Sequence, residues 1–187
     1  MIENILILDT ETTGLDPKKE TTIEIGVILY NIEHKAVLQC LSTLLPCTAN
    51  PVEHINKISV ASTNLNYHKD SAIALFKNMV ASAQAIVAHN APFDKGFIDE
   101  LFKDEIKLPW ICTRDTFKWP VRPARRRLQD FCEAMGVPYV DAHRALTDCN
   151  LIVKCFSKIE DLYFRFNGHN PVSQNGIFTL AEMEGKN

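Results

Sequence analysis

The chain has 187 residues and a formal net charge of −3, from 20 lysines and arginines against 23 aspartates and glutamates. This length favours a single domain, and the mild acidity argues against a protein that coats nucleic acid through bulk positive charge. It does not exclude a nucleic-acid enzyme, because divalent cations in an acidic pocket present positive charge locally.

The cysteines and the apolar segments narrow the class of protein further. No two of the six cysteines are spaced C-x-x-C, so we expect free thiols rather than a zinc site or a disulfide framework. The N-terminus carries Glu3 ahead of a short apolar run and does not resemble a signal peptide. No apolar stretch approaches the length of a membrane span. The sequence therefore predicts a soluble, cytoplasmic protein that does not associate with a membrane.

The first 45 residues predict three strands joined by short turns. Ile5–Asp9 is an apolar run that ends in an acid, and residues 22–31 and 36–45 read as the second and third strands. Gly14 and Pro17 interrupt the first connection. Because the connections are short, an antiparallel meander is the simplest arrangement.

Strands then alternate with helices. Helical spacing covers residues 71–83, 93–102, 126–135 and 144–159, and short apolar strands are predicted at 85–89 and 108–113. A meander followed by this alternation predicts an α/β domain whose mixed five-stranded sheet is flanked by helices. We expect the domain to span residues 1–162, and residues 163–187 to form an irregular tail of unknown role.

Asp9 and Glu11 stand two residues apart at the end of the first strand. Side chains at this spacing share one face of a strand, with Cα atoms about 6–7 Å apart, so the two carboxylates can converge on a cation. A buried charge needs such a partner. The alternative is that the strand ends at Leu8 and both acids point into water.

Two later segments place polar groups near the starts of helices. Asp94 lies in the first turn of its helix, where an acid also serves as a simple cap, and Asn90 can bond the backbone of a turn. His143 and Asp148 reach one pocket only if His143 lies in the preceding loop and Asp148 in the second helical turn. Asp148 needs a partner among its apolar neighbours, whereas His143 taken alone is typical of a surface residue.

Together, these four acids and one histidine suit a site for two metal ions. Carboxylate oxygens favour Mg²⁺ or Mn²⁺, and two such ions stabilise the attacking and leaving oxygens of a phosphoryl displacement. A histidine can take a proton from the attacking water.

The same segments resemble the three motifs of the DEDDh (DnaQ-like) superfamily of 3′→5′ exonucleases, in order and spacing, across residues 4–160. They are Asp9-Thr10-Glu11-Thr12-Thr13-Gly14, His89-Asn90-Ala91-x-Phe93-Asp94 and His143-Arg144-Ala145-Leu146-x-Asp148. The resemblance implies an RNase H-like fold and a metal-dependent exonuclease that releases nucleoside 5′-monophosphates from 3′ ends. Single-stranded DNA is the favoured substrate, although the residues alone do not distinguish DNA from RNA, and a DNA polymerase is a further expected partner.

The resemblance also implies a role for each site residue. Asp9, Glu11 and Asp148 would hold one Mg²⁺ or Mn²⁺ ion, Asp9 would also hold the second with Asp94 supporting it through water, and His143 would be the general base. The residues expected to meet the terminal nucleotide are Thr10, Thr12, Thr13, Ile58, Asn90, Phe93 and His143.

Two features leave alternatives open. Asn56 and Lys57 stand where the family has a His-Gly pair, so the way in which the terminal base is held differs from the family pattern. Arg125, Arg126 and Arg127, with Arg122 before them, are candidates for phosphate contacts upstream of the scissile bond. A solvated helix edge is the alternative for this arginine run.

The sequence also bears on two other classes of protein. A non-catalytic module that binds a polymerase or a nucleic-acid end would share the fold, but the presence of all five expected residues favours an enzyme. A Rossmann or P-loop nucleotide-binding protein is disfavoured because the chain lacks GxGxxG and GxxxxGK[ST].

Overall fold

The computed structural model describes residues 1–65, 68–103, 105–140 and 143–168. The strands in these ranges are β1 (Asn4–Thr12), β2 (Thr22–Asn31), β3 (Ala36–Leu44), β4 (Ala85–Ala88) and β5 (Trp110–Cys112). The helices are α1 (Glu53–Asn56), α2 (Val60–Asn64), α3 (Lys69–Ala81), α4 (Ala91–Phe102), α5 (Leu128–Ala134), α6 (Ala145–Ser157) and α7 (Leu162–Asn167).

The five strands form one mixed sheet in the order β3-β2-β1-β4-β5. β1 pairs antiparallel with β2, and β2 with β3, because turns too short for a crossover join them. β1 pairs parallel with β4, and β4 with β5, across helical connections. The predicted fold, a meander followed by parallel strands, is confirmed.

Alternation along β1 divides the core between the two faces of the sheet. Ile5 and Ile7 belong to the core cluster that includes side chains of α5, α6 and α7. Leu6 and Leu8 point to the opposite face and belong to the cluster that includes side chains of α3 and α4. The odd-numbered residues of β1 therefore face α6, and this parity carries on to Asp9 and Glu11.

The folded domain extends past residue 162, its predicted C-terminal boundary. Leu162 and Phe166 on α7 are 0% and 1% exposed and join the α6-side core. Asn167 ties α7 to the start of β1, because its Oδ1 accepts from the Ile2 amide at 2.7 Å and its Nδ2 donates to the Ile2 carbonyl at 2.9 Å. The rest of the predicted tail, residues 169–187, lies outside the described residues.

Two further observations concern the class of protein. None of the helices within the described ranges is long and apolar enough to cross a membrane. All six cysteines are free thiols, and five of them are buried.

Candidate active site

β1 carries its two acids inside the paired strand rather than beyond its end. Its ladder with β2 continues past Leu8, with Asp9 opposite Gly26 and Glu11 opposite Glu24, and a register shift follows only between Glu11 and Thr12. The alternative in which both acids point freely into water is therefore excluded. Backbone pairing fixes their Cα positions, and alternation directs both side chains to the face covered by α6.

α6 lies unusually close to β2 because residue 26 has no side chain. A Cβ atom on Gly26 would lie only 2.3 Å from the Leu146 nitrogen and 2.4 Å from the Ala145 carbonyl carbon. The Cys149 thiol also donates to the Gly26 carbonyl at 3.3 Å. This close approach places Asp148 over the end of β1, in the first turn of α6 rather than the expected second turn.

Three carboxylates meet at this point. Ligand oxygens of Asp9, Glu11 and Asp148 all lie within 4.8 Å of one another. Burial, reinforced by mutual repulsion, raises the pKa of Glu11 to about 8 and that of Asp9 well above its usual value. Burial also raises the pKa of Asp148 to about 6, and its buried Oδ1 has no hydrogen-bond partner among the described residues.

This arrangement fits a divalent cation. Like charges at such short range are unfavourable in the metal-free chain, and a hard cation with oxygen ligands relieves the repulsion. The unpartnered Oδ1 of Asp148 supplies a free lone pair for coordination. Asp9, Glu11 and Asp148 are thus the residues that would hold a metal ion.

Asp94 approaches the same strand from the other face of the sheet. It lies in the first turn of α4, is 2% exposed, and accepts hydrogen bonds through Oδ1 from the Thr10 amide at 3.0 Å and the Thr10 hydroxyl at 2.9 Å. Burial raises its pKa to about 7, although the bonds from Thr10 oppose the rise. The four predicted acids are therefore divided into three converging carboxylates and one bound to the backbone of β1.

His143 occupies the loop before α6, as its predicted role requires. Its φ is 69°, and it is exposed beside Arg144, the N-cap residue of α6. The charge of His143 is close enough to oppose the rise in the pKa of Asp148. The imidazole is thus at the open side of the carboxylate cluster.

Sequence reasoning missed an ion pair that anchors this loop. The Arg144 guanidinium donates Nη2 to Glu24 Oε1 at 2.8 Å and Nε to Glu24 Oε2 at 3.0 Å. Glu24 is 1% exposed and also accepts from the Ala145 amide at 3.1 Å and the Ser42 hydroxyl at 2.8 Å. The only sequence signal was an acid inside a strand of β-branched residues, because the pair joins positions 120 residues apart.

The threonines expected to meet the nucleotide are largely engaged within the chain. The Thr12 hydroxyl donates to the Gly14 carbonyl at 2.6 Å, and the Thr13 hydroxyl donates to Glu20 Oε2 at 2.6 Å. Both threonines are buried, at 7% and 5% exposure. In the conformation described, the two side chains shape the loop after β1. Contacts from this loop to a nucleotide would then come from the backbone of the loop.

The segment at 56–58 forms a wall behind this loop. Asn56 is 1% exposed, and its Nδ2 donates to the Thr12 carbonyl at 3.3 Å while its Oδ1 accepts from the Ile58 amide at 3.1 Å. Ile58 is 2% exposed and packs with Ile23 and Cys47. Lys57 takes φ 59°, a left-handed conformation that favours glycine.

Asn90 and Phe93 lie at the start of α4, on the same helical turn as Asp94. Asn90 adopts φ 81° at the N-cap position, and its carbonyl accepts from the Phe93 amide at 2.8 Å. Phe93 is half-buried, and its ring packs against Phe97 with centroids 4.9 Å apart.

The arginine run is only partly free to contact a ligand. Arg127 forms a two-point ion pair with Asp130 at the start of α5, at 2.8 and 3.0 Å. Arg126 donates to Asp115 at 3.2 Å. All three arginines, Arg125 included, are exposed.

Comparisons with known proteins give the family. The sequence model of a family described as Exonuclease (RNase_T) matches residues 6–156. The chain belongs to this exonuclease family. The resemblance is confirmed at the level of the family: the chain belongs to the DnaQ-type 3′→5′ exonuclease family.

Relatives of this chain include DNA polymerase III proteins. The chain is 26% identical to a PolC-type DNA polymerase III of Thermotoga maritima over 96% of its own length but only 13% of the relative's. It is 27% identical to the DNA polymerase III epsilon subunit of Treponema pallidum, over 86% of this chain and 78% of that protein. The chain thus spans about an eighth of the length of the PolC-type polymerase, but most of the epsilon subunit.

Solved structures share the fold. Exonuclease X in complex with 5′ overhanging duplex DNA gives a TM-score of 0.64 at 21% identity, over 97% of this chain and 99% of that chain. The nuclease domain of 3′hExo, a DEDDh family member bound to rAMP, gives a TM-score of 0.66 at 16% identity, over 82% and 90% of the two chains.

Proposed function

We propose that the chain removes nucleotides one at a time from the 3′ end of single-stranded or frayed DNA and releases nucleoside 5′-monophosphates. The observation that carries this proposal is the convergence of Asp9, Glu11 and Asp148 within 4.8 Å, beside an exposed His143, in a chain of the exonuclease family. DNA is favoured because relatives that match most of this chain are DNA polymerase III proteins.

The carboxylates are proposed to bind two Mg²⁺ or Mn²⁺ ions, which when bound would stabilise the charge on the attacking and leaving oxygens. Asp9, Glu11 and Asp148 would be direct ligands. Asp94 would act at longer range, since its Oδ1 is already held by Thr10. This division agrees with an indirect, water-mediated role for Asp94.

His143 is the proposed general base. Its exposure at the mouth of the cluster lets the imidazole take a proton from an attacking water and return it to solvent. The bond that breaks joins the phosphorus to the 3′ oxygen of the preceding nucleotide, so the phosphate stays on the released nucleotide. The leaving 3′ oxygen gains a proton and becomes the new 3′ hydroxyl of the strand.

The likeness to polymerase subunits and to polymerase segments supports a DNA polymerase as the partner of this domain, in the cytoplasm. In that setting, the reaction would correct a mispaired 3′ end, because a frayed end enters a single-strand site more readily than a paired one.

The test is a time course on 5′-labelled single-stranded DNA with Mn²⁺, with matched RNA and duplex substrates. We expect a descending ladder on DNA, no products after EDTA treatment, and a block by a 3′-phosphate, which adds charge where the hydroxyl sits near carboxylates. Prompt cleavage of circular single-stranded DNA would contradict the proposal. Binding of DNA ends without hydrolysis would favour a non-catalytic module instead.

A further inference from the structure

A cleft of about 610 Å³ on the α5 and α7 side of the molecule concentrates positive charge. We call it the basic cleft, and define it by its five cations, Arg114, Lys118, Arg122, Arg126 and Arg165, which line it with a single acid, Asp115. The chain as a whole has a net charge of −3, so this local excess is opposite in sign to the molecule that carries it.

Three of the five cations are paired with acids in the described part of the chain, and two are not. Arg165 forms an ion pair with Asp161 at 2.7 Å. Asp115 is shared, since it accepts from Arg114 at 3.0 Å and from Arg126 at 3.2 Å. Within the described ranges, Lys118 and Arg122 are exposed and form no ion pair. A rim of uncompensated cations is the electrostatic footprint of a polyanion site.

The floor of the basic cleft is apolar. Trp119 and Phe131 line it, with their rings 5.1 Å apart between centroids, and the Trp119 indole is fixed by donating Nε1 to the Thr113 carbonyl at 2.6 Å. Because Phe131 is only 4% exposed whereas Trp119 is half-buried, Trp119 offers the ring that a base or sugar of a single strand would contact, while its phosphates contact the cations.

His89 connects the basic cleft to the active site. Its Nε2 bonds to the Arg126 carbonyl at 2.9 Å, and its Nδ1 bonds to the Thr113 hydroxyl at 2.9 Å. Since a carbonyl only accepts, Nε2 carries the proton. His89 is followed by Asn90, the N-cap of the helix that presents Asp94, so one wall of the basic cleft continues into the active-site loop.

We propose that the basic cleft holds phosphates of the substrate strand upstream of the scissile bond, with Lys118 and Arg122 as the contacts. This inference rests on the proposed function. It moves the expected phosphate contacts away from Arg127, whose guanidinium is held by Asp130, and onto cations of the loop between β5 and α5. A substrate of one nucleotide does not extend to the basic cleft, whereas a long strand does.

The test compares the double variant Lys118→Glu/Arg122→Glu with the control variant Lys103→Glu/Lys107→Glu. The control reverses the same amount of charge on two exposed lysines between α4 and β5, at the opposite end of the parallel strands. The substrates are a 5′-labelled 20-mer of thymidylate and the p-nitrophenyl ester of thymidine 5′-monophosphate. For the double variant, we expect KM on the 20-mer to rise about tenfold and the slope of log KM against log salt to fall by about 0.7 for each lost contact.

On the ester, the double variant should keep the kcat/KM of the unmodified chain, and the control variant should behave as the unmodified chain on both substrates. An equal rise in KM for the control variant, or a parallel loss on the ester, would overturn the proposal. If the unmodified chain hydrolysed neither substrate with Mn²⁺, the proposed function would fail. Binding of the 20-mer in EDTA, followed by fluorescence anisotropy, would still test the basic cleft through the same salt slopes.

The same anisotropy measurement with a poly-glutamate peptide tests whether an acidic protein segment, rather than the substrate strand, occupies the basic cleft. Loss of peptide binding in the double variant, with 20-mer binding unchanged, would make the basic cleft a docking surface for an acidic protein segment and would overturn the assignment to the substrate strand.

Discussion

Each acid in the active site owes its environment to its position on β1 or on the helix above it. Asp9 has the other three site acids and Glu24 among its charged neighbours, and burial and their repulsion hold its pKa well above the usual value. His143 instead stands exposed in a loop. Removal of Asp9 and removal of His143 should therefore differ in their effects on hydrolysis and on metal binding.

We expect Asp9→Ala to reduce hydrolysis more than His143→Ala does. Asp9 is proposed to contact both cations, so its removal should abolish binding of Mn²⁺ as well as hydrolysis. Loss of a general base typically slows a reaction by about 10²–10⁴-fold and should leave Mn²⁺ affinity unchanged. Single-turnover rates and calorimetric titration with Mn²⁺ provide the two measurements. A larger rate loss for His143→Ala would reverse the assigned roles.

At the scale of elements, the decisive contact is that of α6 with β2. It depends on the absence of a side chain at Gly26 and on the Glu24–Arg144 ion pair, which fixes the start of α6 to the sheet. The missing side chain at Gly26 sets the distance between helix and strand. The ion pair holds the loop that carries His143.

Gly26→Ala should lower both stability and activity. The added methyl would meet helix backbone at 2.3–2.4 Å, so α6 must move away from β2, at a cost of about 1–3 kcal/mol in the free energy of unfolding. The shift also withdraws Asp148 from the carboxylate cluster. Urea unfolding and Mn²⁺ titration measure the two effects. Gly96→Ala is the control, because its methyl would meet only the Pro17 side chain, at 3.2 Å. Unchanged Mn²⁺ affinity in Gly26→Ala would contradict this account.

Arg144→Gln should destabilise the chain through Glu24. Burial alone would raise the pKa of Glu24, but bonds from Arg144, Ala145 and Ser42 outweigh burial and hold the pKa below its usual value. Removing one partner of a buried ion pair costs about 3–5 kcal/mol. We expect the lower end, since the Arg144 side chain is 48% exposed.

Arg144→Lys should recover part of that stability, because lysine keeps the charge but not the two-point geometry. Thermal unfolding of both variants, together with Glu24→Gln/Arg144→Gln, tests the pairing. If Arg144→Gln lost the same stability whether or not Glu24 was present, the ion pair would not be the cause.

The bounds of the strands and helices show which of them the sequence patterns predict. β2 has the predicted bounds, 22–31, because its apolar residues are flanked by turn residues. β1 runs three residues past Asp9, the predicted end of the strand, since its polar residues still pair with β2. α1 and α2, of four and five residues, are too short to show a helical period.

The site was predicted less completely than the fold, for a physical reason. Motif spacing predicted Asp9, Glu11, Asp94 and Asp148, but not which of these acids converge, because that depends on the face of the sheet each helix covers. Asp94 joins Thr10 rather than the other three carboxylates since α4 and α6 lie on opposite faces. The Glu24–Arg144 pair is a tertiary contact, and no local pattern specifies it.

Over the whole molecule, the carboxylate cluster should make stability depend on pH and on metal. Burial raises the pKa of Glu11 to about 8, so the folded chain favours the protonated acid. Its contribution to the free energy of unfolding is fully present below the unfolded pKa, near 4.5, and is lost as the pH rises through about 8. In EDTA, the Tm advantage of Glu11→Gln over the unmodified chain should therefore grow between pH 5 and pH 8.5.

Mn²⁺ should reverse the order of the Tm values of Glu11→Gln and the unmodified chain. Bound cations replace the missing protons, so saturating Mn²⁺ at pH 8.5 should raise the Tm of the unmodified chain more than that of Glu11→Gln. Differential scanning calorimetry in both buffers measures the effect. A Tm difference that stayed constant with pH would show that Glu11 is not repelled by its neighbours.

The carboxylates of the cluster are also synthesised at different times. Asp9 and Glu11 leave the ribosome early, on a strand that can pair at once with β2, whereas Asp148 arrives only with α6. Since long-range contacts form late in folding, a nascent chain lacks hydrolytic capacity until almost the whole sheet is built and covered. The proposed role of Asp148 thus implies that fragments from translation interrupted before α6 do not hydrolyse nucleic acids.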